Sequence, residues 1–176
     1  MGGKPPYFLF MIEKSIYIDF QFSKEDVYSL LYLLGCIENP KIVIELGSWY
    51  GASTMALGFF LKNLNAKFYT IDNFSGEGSF LKERITDGVD ILNIPRGILN
   101  RNLETVHLSD YVNVLEGDSA DMASEFENDS VDFIFIDADH RYSGIKKDLI
   151  AWYPKVKGNG IFCGHDFEQF EYDENY

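Results

Sequence analysis

Basic residues are scarce in this sequence: 15 Lys and Arg stand against 28 Asp and Glu, a net charge of −13 at pH 7. That balance disfavours nucleic acid and anionic membrane surfaces as partners. A cationic cofactor or metal ion is compatible with it, although general solubility explains the same excess. Cysteine occurs only at Cys36 and Cys163, both in apolar context and without metal or disulfide spacing, so a reducing cytoplasm is the default setting. The apolar run Tyr7–Ile12 is too short to span a bilayer and is followed by Glu13 and Lys14. It lacks a small-residue cleavage site, so it does not read as a secretion signal. Repeats and low-complexity blocks are absent. What remains is ordinary for one globular domain with a real core: 176 residues, 46% hydrophobic and 24% charged.

The stretch that organises the chain runs from Lys41 to Leu57, KIVIELGSWYGASTMAL. Ile42, Val43 and Ile44 form a β-branched run suited to the middle of a parallel sheet, and the pattern breaks at Glu45. Gly47 and Gly51 bracket a tight turn, and Ala52–Lys62 reads as a helix with Ser53 and Thr54 in its first turn. Strand, glycine turn and helix together aim backbone N–H groups and a positive helix end at a bound anionic group. The spacing is GxxxGxS with an acid two residues before the first glycine. The GxGxxG of dinucleotide-binding proteins is missing, which disfavours a nicotinamide oxidoreductase.

Around this stretch, strand and helix patterns alternate. Ser23 opens a helix with Glu25 and Asp26 in its first turn and Val27, Leu30, Leu31 and Leu34 on one face; Gly35 ends it. Ala66–Asp72, Tyr111–Asp118, Val131–Asp137 and Gly160–Asp166 read as further strands. Pro95–His107, Asp121–Phe126 and Ser143–Tyr153 read as helices. Tyr7–Ile12 and Ser15–Phe20 have strand composition, and Phe74–Ile94 reads as a loop with one partial helix. The alternation predicts an α/β fold, an open parallel sheet with right-handed crossovers and helices on both faces. Glu45, Asp72, Asp118 and Asp137 sit at or just past strand ends, as does His165-Asp166. Ligands of such sheets bind outside the carboxyl ends of the strands, so these groups are expected to converge on one rim.

Each acid has a functional and a plain reading. Asp72 is placed to accept hydrogen bonds from two ribose hydroxyls, or else caps the next helix. Asp118 or Ser119 meets an adenine edge, or else caps the helix that follows. Asp137 and Asp166, on adjacent strand ends, could together hold a hard divalent cation through oxygen ligands. Such a cation would lower the pKa of a substrate hydroxyl. His140 is then the natural general base; the plain alternative is a solvated turn.

The segments ELGSWYGAST, YTIDNF, EGDSAD, FIDADHRYSGIKKDL and GIFCGHDF together resemble class I S-adenosylmethionine (SAM)-dependent methyltransferases. Within them they resemble the metal-dependent small-molecule branch that includes catechol, caffeoyl-CoA and macrolide-sugar O-methyltransferases. The resemblance covers roughly Ser23 to Asp166. It implies a Rossmann-like sheet of order 3-2-1-4-5 and a cofactor lying along Glu45, Gly47, Ser48, Trp49, Gly51, Ser53, Asp72, Asn73, Asp118 and Ser119. It places Glu45 and Gly47 at the methionine end, Ser53 at the carboxylate, Asp72 at the ribose and Ser119 at the adenine. Asp137 and Asp166 fall at metal positions and His140 at the catalytic one. Phe167 stands where catechol-type enzymes carry an Asn ligand. The macrolide-sugar pattern uses the preceding residue instead, here His165, which favours Mn²⁺ or Fe²⁺ over Mg²⁺.

The implied activity is methyl transfer to a hydroxyl of a small molecule or sugar. The competing expectation is a SAM-binding or scaffold domain without turnover. The organisation expected is an extension over 1–22, the methyltransferase domain over 23–166, and an acidic tail over 167–176. The family's C-terminal antiparallel hairpin is missing from that plan. The fifth strand would therefore present an apolar edge, covered by the N-terminal strands or by a second subunit.

Overall fold

The computed structural model describes residues 22–75 and 94–166. The two N-terminal strand segments, most of the Phe74–Ile94 connection and the tail from Phe167 lie outside these residues. Helix α1 (Lys24–Gly35) starts where Ser23 caps it. The Ser23 hydroxyl accepts the Asp26 N–H while the Asp26 carboxylate accepts the Ser23 N–H, a reciprocal capping box. Its buried residues are Val27, Leu30, Leu31 and Leu34.

Five strands follow: β1 (Ile42–Leu46), β2 (Lys67–Asp72), β3 (Val112–Glu116), β4 (Val131–Ile136) and β5 (Val156–Gly164). All pair in parallel, in the order β3-β2-β1-β4-β5. The connections carry helices α2 (Ala52–Leu61), α3 (Ile94–Thr105), α4 (Ser119–Met122) and α5 (Tyr142–Trp152). The architecture is the open parallel sheet that the alternation predicted, in the Rossmann-like order that the resemblance implied. Strand β5 begins at Val156 rather than at Gly160, because a register shift opposite Val131 and Phe133 absorbs the glycine-rich Lys157–Gly160 stretch. Helix α4 begins at Ser119 rather than Asp121, since the Asp118 carboxylate already caps the N–H groups of Ala120 and Asp121.

Alternation along the strands feeds two cores. Val43, Phe68, Phe133 and Phe135 face α1 and α2, meeting Leu34, Met55 and Leu57. Ile44, Ile71, Ile134 and Ile136 form the opposite layer with the fully buried Trp152 of α5. At the amino ends of the strands, Asp132 Oδ2 accepts the N–H groups of Lys41 and Ile42 while its Oδ1 pairs with Lys157. β5 has no second partner strand among the described residues. No helix among them is long and apolar enough to cross a membrane.

At the carboxyl ends the turn after β1 is pressed against the turn after β4. Gly47 donates its N–H to the Ile71 carbonyl, and Asp137 donates its own to Leu46. Gly47 has φ +88°, and a Cβ there would lie 2.1 Å from the Asp137 carbonyl oxygen. Backbone, not a movable side chain, fills that space. Gly47→Ala is therefore expected to cost more than about 2 kcal/mol in urea unfolding. Gly97→Ala, inside α3 with open space around it, is expected to gain about 0.5–1 kcal/mol in the same assay.

Candidate functional site

Register explains which strand-end residues meet. Glu45 is level with Thr70 and Phe135, and Phe135 with Cys163. Two residues further along each chain come Gly47, Asp72, Asp137 and His165, which alternation returns to the same face. Asp72 Oδ2 accepts the N–H groups of Ser48 and Trp49 at 2.9 Å each, and Oδ1 accepts that of Phe74 at 2.8 Å. The Ser48 hydroxyl adds a longer contact of 3.3 Å to the same Oδ2. The amides expected to meet an external anion thus face an internal carboxylate in this structure. Trp49 adopts φ +45°, unusual for a bulky residue, with its ring stacked on Tyr50 at 4.6 Å. Asn73 turns inward along its own chain, accepting the Ser75 N–H. Gly51, at φ +92°, leads into α2, and Ser53 is buried in that helix's first turn.

On the other side of the β1 turn, at the ends of β4 and β5, lies a group of acids and imidazoles. Asp137, His140 and Asp166 each offer a ligand atom within 4.8 Å of the others. His140 Nδ1 lies 3.4 Å from Asp166 Oδ2. Asp166 sits in the left-handed region at φ +55°, a conformation Asp tolerates. His165 stands behind the group, with Nδ1 2.9 Å from Asp166 Oδ1 and 3.6 Å from Asp137 Oδ1. Its Nε2 reaches Asp26 of α1 at 3.4 Å. Hydrogen bonding to Asp137 raises the His165 pKa to about 9 against the opposing effect of burial, with Asp166 and Asp26 adding to the rise. Burial pushes the Asp137 carboxyl up, and His165 and His140 pull it back. Burial acts the same way on Asp26, yet hydrogen bonds from Ser23, with His165 behind them, hold it below the usual range. The expected cation set was Asp137, His165 and Asp166. The compact trio is Asp137, His140 and Asp166, and His165 stands between the same two acids and α1, with Nδ1 toward both.

The remaining rim acids go elsewhere, which corrects the expectation that five acid-bearing ends converge. Asp118 caps α4 and pairs with Lys147 of α5 at 2.9 Å. Ser119 donates its hydroxyl to Asp148 Oδ1 at 2.5 Å, and its carbonyl accepts from Trp152 Nε1 at 2.8 Å. Both side chains are thus engaged by α5. Asp148, which the sequence analysis did not single out, is only 2% exposed, and its Oδ2 has no hydrogen-bond partner among the described residues. Burial raises its pKa. Glu45 belongs to β1 and lies one row below the rim.

A family model described as a methyltransferase domain matches residues 44–167, well over half of the chain. The chain belongs to this methyltransferase-domain family. Similar proteins extend further than this domain. An uncharacterized protein, y4gI, of Sinorhizobium fredii is 25% identical over 142 residues, which are 76% of this chain but 14% of that protein. The SAH-bound methyltransferase PaMTH1 of Podospora anserina aligns with a TM-score of 0.59 at 18% identity, over 98% of this chain and 72% of that one. An O-methyltransferase from Bacillus cereus in complex with SAH gives 0.51 at 20% identity, over 85% of this chain and 62% of that one. The two structural likenesses agree with the sheet order described above.

Within the methyltransferase domain, Glu45 is fully buried. Its Oε2 accepts the hydroxyls of Thr54 and Thr70 at 2.6 Å each, while Oε1 has no partner among the described residues. Thr70 gave a signal in the sequence, since it precedes Asp72 by one alternation of β2. Burial raises the Glu45 pKa from 4.5 to about 7, with the surrounding hydroxyls pulling the other way. Below pH 4.5 folded and unfolded chains both hold this proton; between there and about 7 only the folded chain does. Stability is therefore expected to fall as pH rises through that window. Glu45→Gln removes this contribution, so its stability relative to wild type should rise by up to about 3 kcal/mol from pH 4.5 to 7.5, read by urea unfolding.

Proposed function

We propose that this domain binds SAM and transfers its methyl group to a hydroxyl of a small molecule or sugar, assisted by a divalent cation. The observation that carries the reading is the adjacency at Gly47. The turn whose amides hold Asp72 is in backbone contact with the residue, Asp137, that anchors the His and Asp group. A site for the nucleoside end and a site for proton removal thus share one wall. Two further features support it. Glu45 Oε1 is a buried acceptor with no partner among the described residues, suited to an ammonium. The solved proteins of this fold from P. anserina and B. cereus carry SAH.

The residues fit a cation as well. Asp137 and Asp166 supply hard oxygen donors and the adjacent imidazoles borderline nitrogen, a set compatible with Mg²⁺, Mn²⁺ or Fe²⁺. When bound, such a cation lowers the pKa of a hydroxyl beside it. Asp137, Asp166 and His165 would hold it. His140 is about half exposed and turns Nδ1 toward Asp166, leaving Nε2 to take the acceptor's proton as the methyl moves from sulfur to oxygen. Asp166 then stabilises the imidazolium that forms.

Calorimetry with SAM tests this directly. Wild type is expected to show one binding site, and Asp72→Asn to weaken it about tenfold or more, since a charge-assisted acceptor is lost. His140→Ala should keep SAM affinity within about twofold while turnover on a responsive hydroxyl acceptor falls about 10²–10⁴-fold. No SAM binding by folded wild type would end the proposal. SAM bound with no turnover across hydroxylated acceptors and the three cations would leave a cofactor-holding domain in its place.

A further inference from the structure

We propose that Asp26, at the start of α1, is a positioning residue that orients His165 toward the cation site; this rests on the cation reading above. The observation is a set of three contacts that joins α1 to the ends of β4 and β5. Asp26 Oδ2 faces His165 Nε2 at 3.4 Å, and the opposite ring nitrogen faces Asp166 and Asp137 at 2.9 and 3.6 Å. The two nitrogens of one imidazole thus point in opposite directions, one at a carboxylate outside the group and one into it. A histidine that ligates a metal commonly donates its other N–H to a carboxylate, which fixes tautomer and ring orientation. Asp26 occupies that place for His165. The Phe22 ring packs on the imidazole at 5.2 Å and limits its rotation from the side.

The carboxylate is itself held rigidly. Asp26 Oδ2 also accepts the Ser23 N–H at 2.8 Å and the Ser23 hydroxyl at 2.6 Å. The helix cap that starts α1 therefore fixes the oxygen that His165 meets. Removing the carboxylate would free the ring to turn Nδ1 away from Asp137 and Asp166. Removing Ser23 would weaken the cap but leave the charge in front of His165.

Manganese binding to the intact protein without SAM, followed by electron paramagnetic resonance titration of free Mn²⁺, separates the two roles. Asp26→Asn is expected to weaken Mn²⁺ binding about 10–100-fold. Ser23→Ala, which lowers the melting temperature through the lost cap, should leave Mn²⁺ affinity within about twofold of wild type. Glu25→Gln removes an equal charge from the adjacent exposed position, and should also stay within about twofold, since an exposed charge is screened. Asp26→Asn binding Mn²⁺ like wild type overturns the assignment, as does a loss matched by Ser23→Ala or Glu25→Gln. Wild type that fails to bind Mn²⁺ overturns the cation reading together with it, whereas SAM affinity in the same samples reports on the cofactor reading alone.

Discussion

The rim depends on one approach of backbone to backbone. The turn after β1 can lie against the turn after β4 only because Gly47 has no Cβ. Asp72 reinforces it from the other side. By accepting the N–H groups of Ser48 and Trp49, it holds Trp49 at a positive φ that a tryptophan would not adopt in isolation. Strand pairing alone would deliver these residues to the same end of the sheet. β1 separates β2 from β4, so the turn after β1 is the element that touches both sides, through Ile71 and Asp137.

Much of this was legible in the sequence because its signals are local. Ser23, Glu25 and Asp26 announce a helix start; the β-branched run before Glu45 announces a buried strand; Gly47 and Gly51 announce a turn that other residues could not make. Parallel order follows from strand and helix alternation. The boundaries that shifted did so for reasons periodicity does not carry. The Lys157–Gly160 stretch is too polar and glycine-rich to read as strand, yet β4 holds it through a register shift. Asp118 started α4 early by using its carboxylate on amides.

Side-chain destinations were harder, since they depend on partners far away in the chain. Asp118 and Ser119 carry the residue types of a nucleoside contact, but Lys147, Asp148 and Trp152 of α5 claim them. Nothing near Ser119 in sequence announces that. Glu45 looks like a rim acid when counted from the glycine turn. The register with Thr70 places it a row lower, under α2, where two hydroxyls converge on one of its oxygens. Both histidines meet Asp166, for a similar reason. Counting residues put His165 beside Asp166, whereas the left-handed backbone at Asp166 turns its carboxylate toward His140 as well.

The charge of the rim follows from this geometry rather than from the composition. A net charge of −13 spread over a surface is screened within about 8 Å at physiological ionic strength, so it says little about any one site. Asp26, Asp137 and Asp166 are different, because all three lie within 4 Å of one imidazole. A single His165 cation cannot neutralise three carboxylates, and partial burial raises the cost of the charge on Asp137. The group as a whole is short of positive charge on the face shared with Asp72. A cationic group brought to this face would relieve that deficit. The acidity that in the sequence disfavours nucleic acid is thus gathered, at this rim, around one imidazole.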